Sequence, residues 1–268
     1  DEVGLGKTIE AGIILSQKWA ERKRRLVIIA PANLRKQWVE ELEEKFYLPA
    51  FILDKKVMNL CLANKEGVNP FETDRIVVCS YDFARRQERY LRLAQLDLVV
   101  LDEAHRLRNV YRPDNQTGNI LRNALIGKKK ILLTATPLQN SLLELYGLTS
   151  FIDEYAFGDL KSFKSRYNGN LSERDFTQLK NRLAPLCHRT LRRQVLEYIR
   201  YTSRIPMLHE FFPSPEETEL YNLVTEFLQR ERLVSIRSSQ RTLTTLVLRK
   251  LLASSSYAIG GTLQTIIQ

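Results

Sequence analysis

Leu98-Val99-Val100-Leu101-Asp102-Glu103-Ala104-His105 runs four apolar residues straight into two carboxylates. An unbroken apolar run of this length reads as a strand covered on both faces, as strands of parallel sheets are. Carboxylates at the C-terminal end of such a strand stand where open parallel sheets bind their ligands. There Asp102 can hold Mg²⁺, directly or through water, and Glu103 can orient and deprotonate an attacking water. An isolated Asp-Glu pair is also a common polar turn, so the chain on either side has to decide.

About a hundred residues upstream, Asp1-Glu2-Val3-Gly4-Leu5-Gly6-Lys7-Thr8 closes on Gly-Lys-Thr, the end of a phosphate-binding loop in which Asp1 replaces the first Gly. Glycines at Gly4 and Gly6 let backbone N–H groups turn inward around a polyphosphate. The Lys7 ammonium reaches its terminal phosphates and the Thr8 hydroxyl ligates Mg²⁺. A helix opening at Thr8 adds its N-terminal dipole. A Gly-rich surface turn is the alternative for so short a match. The motif normally follows a strand, none precedes it here, and the chain starts inside it, so it is expected to be part of a longer protein.

The segments between these motifs keep one rhythm. Apolar runs at 26–30, 51–53, 76–79, 98–101 and 131–133 read as strands. Amphipathic stretches between them read as helices: Ile9, Ile13, Ile14 and Trp19 on a buried first helix, then Leu34, Trp38, Leu42 and Phe46 on one stripe. Phe83, Tyr90, Leu91 and Ala94 point inward from a helix at 82–94, and another follows at 118–125. Residues 64–74 read as a loop. Asn140 and Ser141 open a further helix, with Glu144 completing a Ser-x-x-Glu capping box. Strands alternating with helices predict an α/β fold, a parallel sheet with helices on both faces.

The rhythm breaks near Asp153, which predicts a first domain at 1–152 and a mainly helical one at 153–268. Residues 172–200 read as helix interrupted at Pro185, and 207–212 as a single strand. Ser214-Pro215-Glu216-Glu217 is a helix start with cap, Pro and box Glu, followed by a stripe of Leu220, Leu223, Val224, Phe227 and Leu228. A last helix is expected at about 241–253, with Ser254-Ser255-Ser256 and Gly260-Gly261 marking a flexible end or the approach to another domain.

The chain of 268 residues carries 41 Lys and Arg against 31 Asp and Glu, a formal charge of +10, which suits a polyanionic partner such as nucleic acid. Residues 161–204 hold eleven basic and three acidic residues, with Tyr167, Tyr198 and Tyr201 interleaved. That segment reads either as a track for nucleic-acid phosphates or as a solvated helical face. Cys61, Cys79 and Cys187 are odd in number and widely spaced, which argues against a disulfide framework or a structural zinc and fits a reducing, cytoplasmic setting. No apolar run reaches membrane-spanning length and no signal peptide is seen, so no membrane partner is expected.

With these motifs in place the chain resembles the SWI/SNF-type DNA-dependent ATPases of helicase superfamily two. Asp1–Thr8, Asp102-Glu103-Ala104-His105 and Leu133-Thr134-Ala135-Thr136-Pro137-Leu138-Gln139-Asn140 look like its motifs I, II and III. The long third motif, running on through Glu144-Leu145-Tyr146 to Phe151, is close to diagnostic. Ala30-Pro31-Ala32-Asn33-Leu34 with Gln37-Trp38 resembles motif Ia, and Ser80-Tyr81-Asp82 the motif after the next strand. Leu191-Arg192-Arg193 and the serine-containing helix end resemble the helical protrusion of the first lobe. Ala135 stands where many members have Gly, a variation that also resembles the bacterial branch, where the location would be nucleoid-associated.

The resemblance implies a RecA-like lobe that shares ATP with a second lobe of the same protein and moves along double-stranded DNA without separating its strands. It implies Gly4, Gly6, Lys7 and Thr8 for phosphates, Thr8 and Asp102 for Mg²⁺, and Lys7, Asp102 and Glu103 as the catalytic set, with Glu103 as base. His105, Thr134, Thr136 and Gln139 would couple the ATP site to DNA, although Thr134 and Thr136 could equally satisfy backbone groups at a strand end. Arg35, Ser80, Tyr81, Arg108, Asn109, Asn140, Arg192 and Arg193 are candidates for the DNA surface; Arg35 and Arg108 could equally be solvent-facing. No Gln-x-x-Gly-Arg-like stretch, which would carry arginine fingers, occurs in residues 1–268, so the chain alone is expected to hydrolyse ATP poorly. The motor of a restriction or phage-defence complex, an RNA polymerase recycling factor, or a non-catalytic DNA-binding and assembly module that keeps nucleotide as a structural ligand are the alternatives, and other proteins of a DNA-processing complex are possible partners.

Overall fold

The computed structural model describes residues 2, 4–64, 69–167, 172–195, 207–208, 210, 212–229, 241–254 and 256–267. Asp1, Gly67, Tyr198, Tyr201 and Ser255, and the side chain of Arg192, lie outside this description. The chain divides into two compact units, Asp1–Tyr201 and Thr202–Gln268.

The first unit is built on five parallel strands, β1 (Leu26–Ala30), β2 (Ala50–Ile52), β3 (Ile76–Ser80), β4 (Leu98–Leu101) and β5 (Lys130–Leu132), in the order β2-β3-β1-β4-β5. Their registers follow from the period of two along each strand. Val27 aligns with Val77 and Val99, and Ile29 with Cys79 and Leu101. These residues share one apolar layer with Met58, Leu91, Leu121 and Phe151. Leu26, Ile28 and Ala30 face the other layer with Val78, Val100, Trp38 and Leu42. Both layers are fully buried, which is why β1 needs an apolar residue at every position.

Helices α1 (Lys7–Ala20) and α2 (Arg35–Phe46) supply the Trp38 layer; α3 (Lys55–Asn64), α4 (Tyr81–Arg86), α5 (Glu88–Leu93), α6 (Gln116–Ala124) and α7 (Leu142–Ile152) supply or flank the other. The stretch read as one helix at 82–94 is two short ones, and α3 fills residues for which no element was expected, reaching the expected loop only at Asn64. α1 is present where expected, but its inward face is not the expected one. Ala11, Gly12 and Leu15 are buried, while Ile9, Ile13 and Ile14 are 36%, 59% and 39% exposed. The cause is close helix packing: a Cβ on Gly12 would lie 2.2 Å from the Phe46 ring, so α1 turns its smallest face to α2.

The sheet's unit continues past the change of rhythm near Asp153. Helix α8 (Leu160–Tyr167) returns Phe163 and Tyr167 onto Phe157 and Tyr146 of α7, with ring centroids 4.9 Å apart for Tyr146–Phe163 and for Phe163–Tyr167. Tyr167 is therefore core rather than part of a nucleic-acid track. Helix α9 (Glu173–Leu183) has a Ser172–Asp175 capping box and ends before Pro185. Pro185, which lacks the N–H that continuation would use, stands at the break expected there. Beyond it the described residues 186–195 form only a 3₁₀ turn at Arg192–Gln194, and the rest of the helix expected to residue 200 lies outside the described residues.

In the second unit, α10 (Pro215–Gln229) starts as predicted: Glu217 N–H donates to Ser214 Oγ (3.2 Å) and Ser214 N–H to the Glu217 carboxylate (3.1 Å). Val224 and Leu228 are buried with Leu248 of α11 (Arg241–Ser254) and Ile259 of α12 (Ser256–Ile267). Of the residues read as a flexible end, Ser254 closes α11, Ser256 opens α12, and Gly260 and Gly261 lie within α12, which buries Ile259. Residues 207, 208, 210 and 212 are irregular, not strand. No helix among the described residues is long and apolar enough to cross a membrane.

Candidate functional site

The residues after β4, the start of α1 and one face of α2 open onto one cleft of ≈ 450 Å³. Gly4, Gly6, Lys7, Thr8, Asp102 and Glu103 line it together with Leu34, Gln37, Trp38, Glu41 and Lys45 of the α2 wall. The two motifs, a hundred residues apart in sequence, thus meet in space. Gly4 and Gly6 both adopt φ of +81°, the left-handed region that only Gly enters at no steric cost, and α1 begins directly after Gly6. Lys7 Nζ donates to the Glu2 carbonyl at 3.2 Å and so lies along the loop.

Asp102 is buried, and both of its oxygens are held by donors. Trp38 Nε1 donates to Oδ2 and the Glu103 N–H to Oδ1, each at 2.8 Å. Burial pushes the Asp102 carboxyl above its ordinary range, against the opposing pull of these two donors. Sequence reading placed Trp38 on the core stripe of α2 and missed its second role. The available signal was chemical: a buried indole N–H needs an acceptor.

Glu103 leaves the strand at φ 50°, ψ 46°. A non-Gly residue in this region costs about 1–3 kcal/mol and marks a site where the surrounding structure fixes the backbone. The turn delivers the side chain to the cleft and starts a 3₁₀ turn at Ala104–Leu107. His105 Nδ1 lies 3.0 Å from Glu103 Oε2, close enough for an ion pair though outside hydrogen-bond geometry.

The coupling and DNA candidates separate into groups. The Ala104 N–H donates to the Leu133 carbonyl at 2.8 Å, which ties the Asp102–Glu103 end to the segment bearing Thr134, Thr136 and Gln139. Thr134 Oγ1 accepts the Thr136 N–H at 3.2 Å, a local backbone contact. The Gln139 and Asn140 side chains are exposed. Ser80 caps α4, accepting the Phe83 N–H, and Arg35 donates to the Ala32 carbonyl. Asn109 accepts from the Tyr111 hydroxyl at 3.3 Å. Arg193 is exposed in its 3₁₀ turn.

Two expectations need correction. Tyr81 is buried and its hydroxyl donates to the Asp102 carbonyl at 2.7 Å, so it supports the strand end instead of facing DNA; burial, reinforced by the Asp102 charge, pushes its phenol pKa up. Glu144 does not close the expected box with Ser141, whose side chain makes no cap hydrogen bond. The Glu144 carboxylate instead accepts the Gln139 and Asn140 N–H groups at 2.8 and 3.2 Å, and Arg108 Nε lies 3.7 Å from it.

A family model described as the SNF2-related domain matches residues 1–257. Among solved structures, the chain is similar to the Sulfolobus solfataricus SWI2/SNF2 ATPase core in complex with dsDNA, with a TM-score of 0.59 and 21% identity over 94% of this chain and 52% of that one. It is also similar to the SWI2/SNF2 ATPase core domain of the same organism, with a TM-score of 0.55 and 20% identity over 94% and 51% of the respective chains. The chain spans about half the length of both. At this identity the likeness is one of fold, the RecA-like α/β core.

Proposed function

Since the chain belongs to the SNF2-related family, we propose that it is the ATP-binding first motor lobe of a translocase that couples ATP hydrolysis to movement on double-stranded DNA. The observation that carries this reading is the single cleft gathering Gly4, Gly6, Lys7, Thr8, Asp102 and Glu103. That donor set fits Mg²⁺-ATP. Two positive-φ glycines and a helix N-terminus present backbone N–H groups, Lys7 brings an ammonium, and Thr8 and Asp102 bring the oxygens a hard cation takes. Bound Mg²⁺ would neutralise charge on the phosphates.

The chain's own residues divide the remaining work. Trp38 and the Glu103 N–H orient Asp102, and Glu103 takes the proton of an attacking water at its carboxylate. His105 beside Glu103 limits where that carboxylate can swing. Hydrolysis then requires a second lobe to supply arginine fingers, since the Gln-x-x-Gly-Arg-like stretch that would carry them does not occur in residues 1–268.

DNA contact is testable apart from hydrolysis. If the basic segment follows phosphates, the affinity for duplex DNA falls steeply with salt, the log–log slope steepening by about 0.9 per phosphate neutralised. Arg192→Glu with Arg193→Glu should weaken binding to any duplex sequence and flatten that slope, as read by fluorescence anisotropy across a salt series. An unchanged slope would return residues 161–204 to the role of a solvated face.

A further inference from the structure

Among the described residues two carboxylates are buried, Asp102 and Glu144. Asp102 belongs to the cleft. Glu144, in the first turn of α7, does not line it, and yet its carboxylate is fully engaged. Oε2 accepts the N–H groups of Gln139 (2.8 Å) and Asn140 (3.2 Å), Oε1 accepts Asn140 Nδ2 (3.2 Å), and Arg108 Nε stands 3.7 Å from Oε1. Burial opposes ionisation of this carboxyl, but the two backbone donors, the Asn140 amide and the Arg108 charge outweigh it and hold the pKa below the ordinary range. The group is therefore a buried anion at neutral pH.

Its partners come from two different motifs. Arg108 follows the Asp102–Glu103 strand end through the 3₁₀ turn Ala104–Leu107, with its N–H on the His105 carbonyl. Gln139 and Asn140 close the loop that follows β5. The same two segments meet again at the Ala104–Leu133 hydrogen bond. One turn along α7, Gly147 packs so tightly that an added Cβ would lie 1.9 Å from the Arg108 carbonyl oxygen. A helix that touches Arg108 at both side chain and backbone leaves the loop little room to move independently.

We propose that Glu144 is a positioning residue: it fixes the Gln139–Asn140 backbone to Arg108, so that the Asp102–Glu103 strand end and the 134–140 loop shift as one body. This rests on the motor reading above. Under it, the exposed Gln139 and Asn140 side chains report the state of the ATP cleft to whatever they touch, and Arg108 acts inside the lobe as the other half of the clamp.

Two variants separate the parts. Glu144→Gln keeps an acceptor for the loop amides but loses the charge that faces Arg108. Glu144→Ala loses both. In the full-length protein, Glu144→Gln should lower the kcat of ATP turnover at saturating duplex DNA by about tenfold while leaving the KM for ATP within about twofold, the split expected when a group acts only through positioning. Adding Arg108→Gln should cost nothing further, because both changes break the same contact. Hydrogen exchange should show the Gln139 and Asn140 amides of Glu144→Ala exchanging at least about tenfold faster, with the β4 amides of Val99 and Val100 unchanged. Wild-type kcat in Glu144→Gln, additive losses in the double variant, or unchanged exchange in Glu144→Ala would each overturn the proposal. If the wild-type protein shows no DNA-dependent turnover, the motor reading itself fails, and the exchange measurement still decides whether the clamp exists.

Discussion

In the full-length protein, Glu103→Gln is expected to abolish ATP turnover and to leave ATP binding intact. The loss expected from removing a general base is about 10²–10⁴-fold in kcat. Gln has the shape of Glu, and the αL backbone at this position is held by the neighbouring turn, so the fold has no reason to change. The Glu103 N–H donates to Asp102 Oδ1 from the backbone, a bond the substitution does not touch. The orientation of Asp102 and the glycine loop should therefore survive, and only the proton acceptor is lost. Turnover measured alongside titration with a fluorescent ATP analogue checks both halves. Unchanged turnover would favour a module that keeps nucleotide as a structural ligand.

Gly147→Ala should be among the most damaging single-methyl changes in the chain. The added Cβ would fall 1.9 Å from the Arg108 carbonyl oxygen and 2.8 Å from its carbonyl carbon. These are backbone atoms, which cannot swing aside as a side-chain end would. Overpacking of this kind costs about 1–3 kcal/mol and more where the neighbour is rigid. A fall in Tm of roughly 2–4 °C for each kcal/mol follows for domains of this size. Gly260→Ala is the control: nothing lies within 4 Å of its added Cβ, and helix propensity favours Ala there by about 1 kcal/mol. Thermal unfolding in which Gly147→Ala matched Gly260→Ala would mean that α7 does not press on the Arg108 segment.

The sheet was legible because fully buried parallel strands leave an unbroken apolar run, and β1, β3 and β4 are such runs. That Gly4–Thr8 and the Asp102–Glu103 strand end meet in one cleft follows the expectation drawn from their motifs, because the chemistry proposed for them restricts residue type at short spacing. Helix orientation was not. Three isoleucines on α1 look like a core stripe, but the contact that decides is the small face of Gly12 against Phe46, a residue of another helix. Tyr81 and Glu144 misled for a related reason. Tyr81 was assigned to DNA through its motif and Glu144 to a cap through its spacing from Ser141, whereas the Tyr81 hydroxyl reaches the Asp102 carbonyl 21 residues away and the Glu144 carboxylate takes the Gln139 and Asn140 N–H groups with Arg108 beside it. Side-chain partners distant in sequence leave no periodic trace, whereas burial of a hydroxyl or a carboxylate demands them. Trp38 shows the same limit: its apolar ring obeyed the helix stripe, and its N–H went to Asp102 unannounced.

The central claim is that the cleft joining Gly4, Gly6, Lys7 and Thr8 to Asp102 and Glu103 is the nucleotide half of a DNA-driven motor. Steady-state ATP turnover with and without duplex DNA tests it most directly, measured on the full-length protein and on residues 1–268 alone. Turnover that rises with duplex DNA in the full-length protein and stays at background in the isolated chain is the predicted result; turnover indifferent to DNA in the full-length protein would contradict it.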